Sequence, residues 1–179
     1  EGGMLTLNAF IRKVPDRVVY WGTSGQRITD SYHFDACCMK ELLDYSRLLH
    51  GKDIRGQLTP PSFEDIKTNI QFHYDTIRKY ASSTGRSIYS FGWLLDIARC
   101  IYTLRTGKII SKTAAGEWAL QNCLFHNITA LETALEVRKN PQKYLESAEL
   151  QALSGKLGNA IQQYADVLEK ELKTTSFVG

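Results

Sequence analysis

The residues of this chain best suited to chemistry are basic side chains concentrated between positions 76 and 116. This segment holds seven lysines and arginines against a single acid, Asp96, although the net charge of the whole chain is only +3. The seven are Arg78, Lys79, Arg86, Arg99, Arg105, Lys108 and Lys112. Cations near the start of a helix suit phosphate binding, because free backbone N–H groups and the positive end of the helix dipole point the same way. The alternative interpretation is a solvated basic face.

Within this segment, the run RCIYTLRTGKIISKTAAGEWA predicts where such a helix starts. An apolar helix carrying Arg99 ends at a Thr-Gly-Lys turn, and a second helix begins near Ser111 with Lys112 in its first turn. A lysine at that end opposes the helix dipole unless an anion neutralises it. Lys112 is therefore the strongest candidate for binding phosphate, and Lys108 and Arg99 are second choices. Arg99 could equally be a structural arginine paired with Asp96, Glu117 or another acid.

The same run resembles the helical C-terminal domain of the spectinomycin/streptomycin-type adenylyltransferases. The resemblance rests on an Arg-x-x-Tyr helix, a Thr-Gly-Lys turn, a Ser-Lys pair and the sequence Ala-Gly-Glu-Trp-Ala, which together span residues 99–119. It implies that Lys112 reaches the phosphates of a nucleotide, with Lys108 and Arg99 nearby. It also implies ATP and Mg²⁺ as cofactors, and a hydroxyl compound as acceptor of the transferred AMP.

Three aromatic residues, Tyr102, Trp118 and Tyr89, are candidates for a substrate pocket. Tyr102 and Trp118 are first interpreted as packing residues, and Trp118 could also form an aromatic wall beside a sugar or base. Drug-modifying members of the resembling family carry acids just before the central helix, where they contact a cationic antibiotic. Here that stretch, residues 87–90, contains no acid. This departure argues against a polycationic aminoglycoside as the substrate.

The catalytic metal site of the resembling family has no counterpart in this sequence. Those enzymes hold Mg²⁺ with two carboxylates at i and i+2 on one strand, and no Asp-x-Asp occurs here. Asp30 and Asp35 are five residues apart. The family's general base also has no acidic counterpart in the predicted strand Met4 to Phe10. We expect either a fragment that begins at the last strand of a nucleotidyltransferase domain, or a relative that has lost the chemistry.

Hydrophobic patterning predicts a mainly α fold, a bundle of about six helices preceded by a short β-hairpin. The hairpin strands are expected at residues 5–11 and 17–21, where β-branched and aromatic residues alternate with polar ones. Helices are expected at residues 34–50, 63–80, 89–104, 111–122 and 127–139, followed by a regular last helix through residues 153–172. The predicted domains are 1–30, the end of a nucleotidyltransferase sheet, and 31–179, which orients nucleotide and substrate.

Other classes of function remain open or are disfavoured. A non-catalytic interaction module, forming a homodimer through the hairpin or the last helix, is the main alternative. Nucleic-acid binding is disfavoured by the small net charge. No apolar run reaches the ~18 residues of a membrane span, and the start of the chain has no basic signal region. These features predict a cytoplasmic location.

Overall fold

The computed structural model describes residues 2–4, 6–22, 25–32, 34–80 and 88–175. These residues fall into two compact units, 1–66 and 67–179. The sequence predicted a domain boundary near residue 30, between the end of a nucleotidyltransferase sheet and a helical domain. The division into compact units does not test that assignment, which stays a prediction. Residues 81–87, which include Arg86 of the basic segment, lie outside the described residues. Among the described helices, none combines the length and the apolar character needed to cross a membrane.

The first unit contains a small antiparallel sheet and short helices. Its elements are β1 (Gly2–Gly3), α1 (Leu7–Arg12), β2 (Asp16–Gly22), β3 (Gly25–Tyr32), α2 (Ala36–Tyr45) and a 3₁₀ helix (Arg55–Gln57). The strands are ordered β1-β2-β3, and Val19 lies opposite Ile28 in the β2–β3 hairpin. The predicted N-terminal hairpin is therefore confirmed as a feature of the fold.

The first predicted strand, residues 5–11, is wrong, because Leu7–Arg12 forms helix α1. Thr6 caps this helix by accepting a hydrogen bond from the Ala9 N–H, at 3.3 Å. Asp16 in turn accepts hydrogen bonds from the Thr6 N–H at 2.7 Å and the Thr6 hydroxyl at 2.8 Å. The cap is thus fixed by an acid ten residues downstream, which the local alternation of side chains does not reveal. With no strand here, the proposed correspondence to a nucleotidyltransferase strand at Met4 to Phe10 also fails.

The second unit is helical. Its elements are most of α3 (Phe63–Tyr80), a 3₁₀ helix (Ile88–Phe91), α4 (Gly92–Thr106), α5 (Lys112–Gln121), α6 (Ile128–Lys139), α7 (Pro141–Tyr144), α8 (Ala148–Ser154) and α9 (Leu157–Thr174). The described residues thus contain nine α-helices rather than about six, and the mainly α class is confirmed. Helix α3 begins with a capping box, a pattern recognisable from the sequence Ser62-x-x-Asp65: the Ser62 N–H donates to Asp65 at 2.8 Å and the Asp65 N–H donates to Ser62 at 3.1 Å.

Helix α4 is the centre of this unit, as its nearly uniform apolar sequence predicts. It packs against α5, α6 and α9. Its buried side chains are Leu94, Leu95, Ile97, Ala98, Ile101, Thr103 and Leu104. A helix that is apolar on nearly all sides can bury this surface only when neighbours surround it. The residues on α4 that are partly exposed, Asp96 and Arg99 among them, therefore lie at a defined edge of the core.

Two observed helix boundaries differ from the predicted ones, because the hydrophobic spacing does not show where a helix is capped or interrupted. The predicted helix 34–50 ends at Tyr45, where Ser46 adopts an extended conformation. The predicted last helix divides into α8 and α9 at Gly155 and Lys156, so Leu153 belongs to α8 and is 40% exposed. Glycine lowers helix stability, and the hydrophobic spacing across the break conceals it. The rest of the pattern holds, because Leu157, Ile161 and Leu168 are buried on α9.

Helix α9 is held to α3 by a polar network around Arg78. The Arg78 guanidinium donates to the Gln162 side chain at 2.6 Å and forms an ion pair with Glu169 at 3.1 Å. Its Nε donates to the Tyr74 hydroxyl at 2.9 Å. These contacts give Arg78 a structural role, so we do not count it among the candidate ligand-binding cations of the basic segment.

Candidate functional site

The connection between α4 and α5 folds as the sequence predicts. Gly107 ends α4 in the left-handed conformation, with φ 67°, and its N–H donates to the Thr103 carbonyl at 2.8 Å. Ser111 caps α5, and its hydroxyl accepts the Ala114 N–H at 3.1 Å. The first N–H groups of any α-helix lack an acceptor within the helix, so the start of α5 offers donors beside Lys112.

Three charged side chains meet at this point, and we call them the Asp96 cluster: Asp96, Arg99 and Lys112. The Lys112 ammonium lies 2.8 Å from Asp96 Oδ2, and the Arg99 guanidinium lies 3.2 Å from Asp96 Oδ1. Arg99 and Asp96 are three residues apart on α4, whereas Lys112 arrives from the first turn of α5. Two of the three predicted phosphate-binding residues are therefore brought together although thirteen positions separate them.

Asp96 explains why a lysine is tolerated at the start of a helix. The expected neutralising anion is supplied by the chain itself, since the Asp96 carboxylate reaches Lys112. The side chain of Asp96 is 15% exposed, compared with 29% for Lys112 and 31% for Arg99. Two cations against one carboxylate leave one net positive charge at a partly solvated edge, with N–H donors to spare on both cations. This arrangement can hold one further anionic group.

Lys108 is not brought into the Asp96 cluster by any contact of its side chain. That side chain is exposed and makes no ion pair or hydrogen bond with the described residues, while its backbone N–H donates to Thr106 Oγ1 at 3.2 Å. Its assignment to phosphate binding stays a prediction. Arg105, another cation of the basic segment, is paired with Glu171 of α9. The basic excess of the segment is thus divided between structural ion pairs and the start of α5.

The predicted aromatic residues Tyr102 and Trp118 contact each other. Their rings meet edge to face, with centroids 5.1 Å apart and planes at 87°, a favoured aromatic geometry. The Arg105 guanidinium lies 5.8 Å from the centre of the Trp118 ring. Both aromatic side chains are half-buried, which suits packing and leaves part of each ring accessible. The backbone of Tyr89 lies in the 3₁₀ helix before α4, and its side chain lies outside the described part of the chain.

Gly116 sets how closely α5 approaches the core, and therefore where Lys112 lies. A Cβ atom at this position would be 2.7 Å from Leu95 Cδ2 on α4 and 2.8 Å from Leu135 Cδ2 on α6. Real Cβ atoms do not approach other carbons this closely, so only glycine fits without displacing a leucine. The sequence pattern Ala-Gly-Glu-Trp-Ala contains this glycine, but its packing role was not predicted.

A separate cavity of about 320 Å³ lies between the segment after α5 and helix α9. Its walls are Leu124, Phe125, His126, Asn127, Gln163, Tyr164, Asp166, Val167 and Lys170. None of the predicted site residues lines it.

Comparison with known proteins identifies the family. A family model described as aminoglycoside adenylyltransferase, C-terminal domain, matches residues 65–170, more than half of the chain. The chain belongs to this family. The match covers α3 through most of α9, including the entire Asp96 cluster. No curated protein and no solved structure matches the chain significantly.

The described acids of this adenylyltransferase-family chain do not fit a magnesium site. Among the described residues, no group of three His, Cys, Asp or Glu side chains is placed to hold a metal ion. Asp30 is paired with Arg17 at 3.4 Å, and Asp35 caps α2 by accepting the Cys38 N–H at 2.8 Å. The Asp96 cluster has two cations on one carboxylate, a charge balance that favours an anion over a metal ion.

Proposed function

We propose that this chain is the nucleotide-orienting and acceptor-orienting helical part of an adenylyltransferase-like protein. Lys112 and Arg99 bind the triphosphate of ATP at the start of α5, with Lys108 as a further cation. The carboxylates that hold Mg²⁺ for AMP transfer are not supplied by this chain. Membership of the aminoglycoside adenylyltransferase C-terminal domain family supports the class of reaction, and the residue roles are our proposal.

The observation that carries this proposal is the convergence of Arg99 and Lys112. Two cations from different helices lie on opposite oxygens of one carboxylate, at 3.2 and 2.8 Å. The start of α5 adds its own N–H groups and the positive end of its dipole. The pairing with Asp96 accounts for the position of both cations, and it leaves one net positive charge close to Lys112 in the first turn of α5, which supports an anion as the ligand.

The acceptor is proposed to be a hydroxyl compound other than a polycationic aminoglycoside. The stretch before α4 contains no acid that could contact a cationic drug. Tyr102 and Trp118, which form the edge-to-face pair, offer a half-buried aromatic surface beside α5. This surface would stack against a sugar or base and hold an acceptor hydroxyl near the phosphates.

We expect Lys112→Ala to weaken the binding of inorganic tripolyphosphate by about 1.5–3 kcal/mol, because it removes one charge-assisted contact. Calorimetric titration of the full chain measures this loss. Lys139→Ala is the matched control, since Lys139 also pairs with a single carboxylate, Glu117, at 2.6 Å. Both variants remove one positive charge from a lysine–carboxylate pair, so their difference isolates the position of Lys112. Equal losses for the two variants would leave only a nonspecific basic surface.

A second candidate function, a homodimer formed through the hairpin, is favoured by the exposed face of the sheet. Trp21 and Ile28 lie on the same face as Val19 and are 45% and 64% exposed. Strand β3 pairs with β2 alone among the described strands, so it is an available edge for another strand.

If a second copy covers this face, sedimentation of the wild-type chain should give a dimer. Ile28→Lys should shift it to a monomer, because a charge would be buried in the interface. Arg17→Lys, on the same sheet but charge-conserving, is the control. A monomer of 20.3 kDa at high concentration for the wild type would contradict the dimer and would leave the phosphate-binding proposal unaffected.

A further inference from the structure

Asp96 is the only acid between residues 76 and 116, and two of the three candidate phosphate-binding side chains, Arg99 and Lys112, pair with it. We propose that Asp96 is the internal counter-ion of the phosphate site: its carboxylate occupies Lys112 and Arg99 until the phosphates of a nucleotide take its place. This inference rests on the proposed function, and it adds that Asp96 neutralises one of the two positive charges while no phosphate is bound.

The geometry gives Asp96 the position of a bound anion. Its two oxygens are each taken by one cation, as two oxygens of a phosphate would be. One of these cations, Lys112, belongs to the first turn of α5, and its ammonium lies 2.8 Å from the carboxylate. Asp96 therefore occupies both cations that would attract a phosphate and competes with it for them.

Exchange is physically accessible because the cluster is partly solvated. Arg99 and Lys112 are 31% and 29% exposed, so water can reach each cation and replace a contact that it loses. A triphosphate carries several negative charges and can contact both cations together with the N–H groups of α5, whereas Asp96 contributes one charge. The carboxylate must then withdraw or share its cations, and its remaining charge repels the ligand. Asp96 thus lowers the affinity of the site while it stabilises the empty chain.

The test is Asp96→Asn, which keeps the shape of the side chain and removes its charge. We expect the variant to bind inorganic tripolyphosphate about fivefold to tenfold more tightly than wild type, the effect of one unit charge close to the ligand in a half-solvated site. Glu117→Gln is the matched control, because it also neutralises an acid and releases a lysine, Lys139. That control should change the affinity by less than about twofold.

The double variant Asp96→Asn with Lys112→Ala should lose the gain, because Lys112 is the cation that Asp96 releases. Unchanged or weaker binding by Asp96→Asn, or an equal gain in Glu117→Gln, would overturn the counter-ion role. The proposed function has its own test: it is contradicted if wild type and Lys112→Ala bind tripolyphosphate equally. In that case the counter-ion role of Asp96 is contradicted as well.

A second measurement needs no variant and covers the case in which Asp96→Asn does not fold. In wild-type protein labelled with ¹³C at aspartate side chains, saturation with tripolyphosphate should move the Asp96 carboxyl resonance, because its two cationic partners change. The resonance of Asp53, which pairs with Arg55 in the first unit, should stay in place and serves as the internal reference. An Asp96 resonance that does not move at saturation would overturn the exchange.

Discussion

Replacing Tyr164 with alanine should lower the free energy of unfolding by about 3–5 kcal/mol, the cost of deleting a buried aromatic side chain. Tyr164 is 1% exposed and stacks on Phe125, with ring planes at 6°. Its hydroxyl donates to the Asn127 carbonyl at 2.6 Å. One side chain therefore fastens the connection between α5 and α6 to helix α9, and chemical denaturation measures the loss.

Tyr164→Phe is the control, because it keeps the ring and removes only the hydrogen bond. We expect this variant to lose about 0.5–1.5 kcal/mol. Burial raises the pKa of the Tyr164 hydroxyl, so its neutral form is favoured in the folded state. The stability that this provides is complete below the unfolded pKa of about 10 and is lost as the pH rises above it. Tyr164→Phe should reduce this loss of stability at alkaline pH. If Tyr164→Ala had the same free energy of unfolding as Tyr164→Phe, the packing role of the ring would be contradicted.

Gly116→Val should cost about 3 kcal/mol of stability, because it inserts carbon atoms where the Cβ alone would meet Leu95 and Leu135 at 2.7 and 2.8 Å. Displacing α5 from α4 should also move Lys112 away from Asp96, so the affinity for tripolyphosphate should change with the stability. Denaturation and titration on the same preparation separate the two effects.

Gly92→Ala is the matched control for Gly116→Val. A Cβ at Gly92 meets nothing within 4 Å, so this change in the first turn of α4 should be neutral or slightly stabilising. Combining Gly116→Val with Leu135→Ala should recover part of the loss, since the smaller side chain makes room for the added atoms. Strictly additive losses in the double variant would show that α5 does not press on Leu135.

Local signals explain which parts of the fold were predictable. The Ser62 and Ser111 caps, the Gly107 ending of α4 and the central position of α4 follow from short-range hydrogen bonding and from hydrophobic spacing. Helix α1 was predicted as a strand because its cap depends on Asp16, beyond the reach of any local pattern. The break at Gly155 was hidden because apolar spacing continues across it.

The sequence by itself determined the family resemblance, the mainly α class and the identity of Arg99 and Lys112 as candidate ligands, because these depend on residue types at short spacings. Only the tertiary structure decided that Arg99 and Lys112 share Asp96, since the distance between α4 and the start of α5 depends on how the two helices pack. That packing is set by Gly116, which allows α5 to lie against Leu95. Residue types and their spacing thus identify the candidate cations, whereas helix packing determines which carboxylate pairs with them.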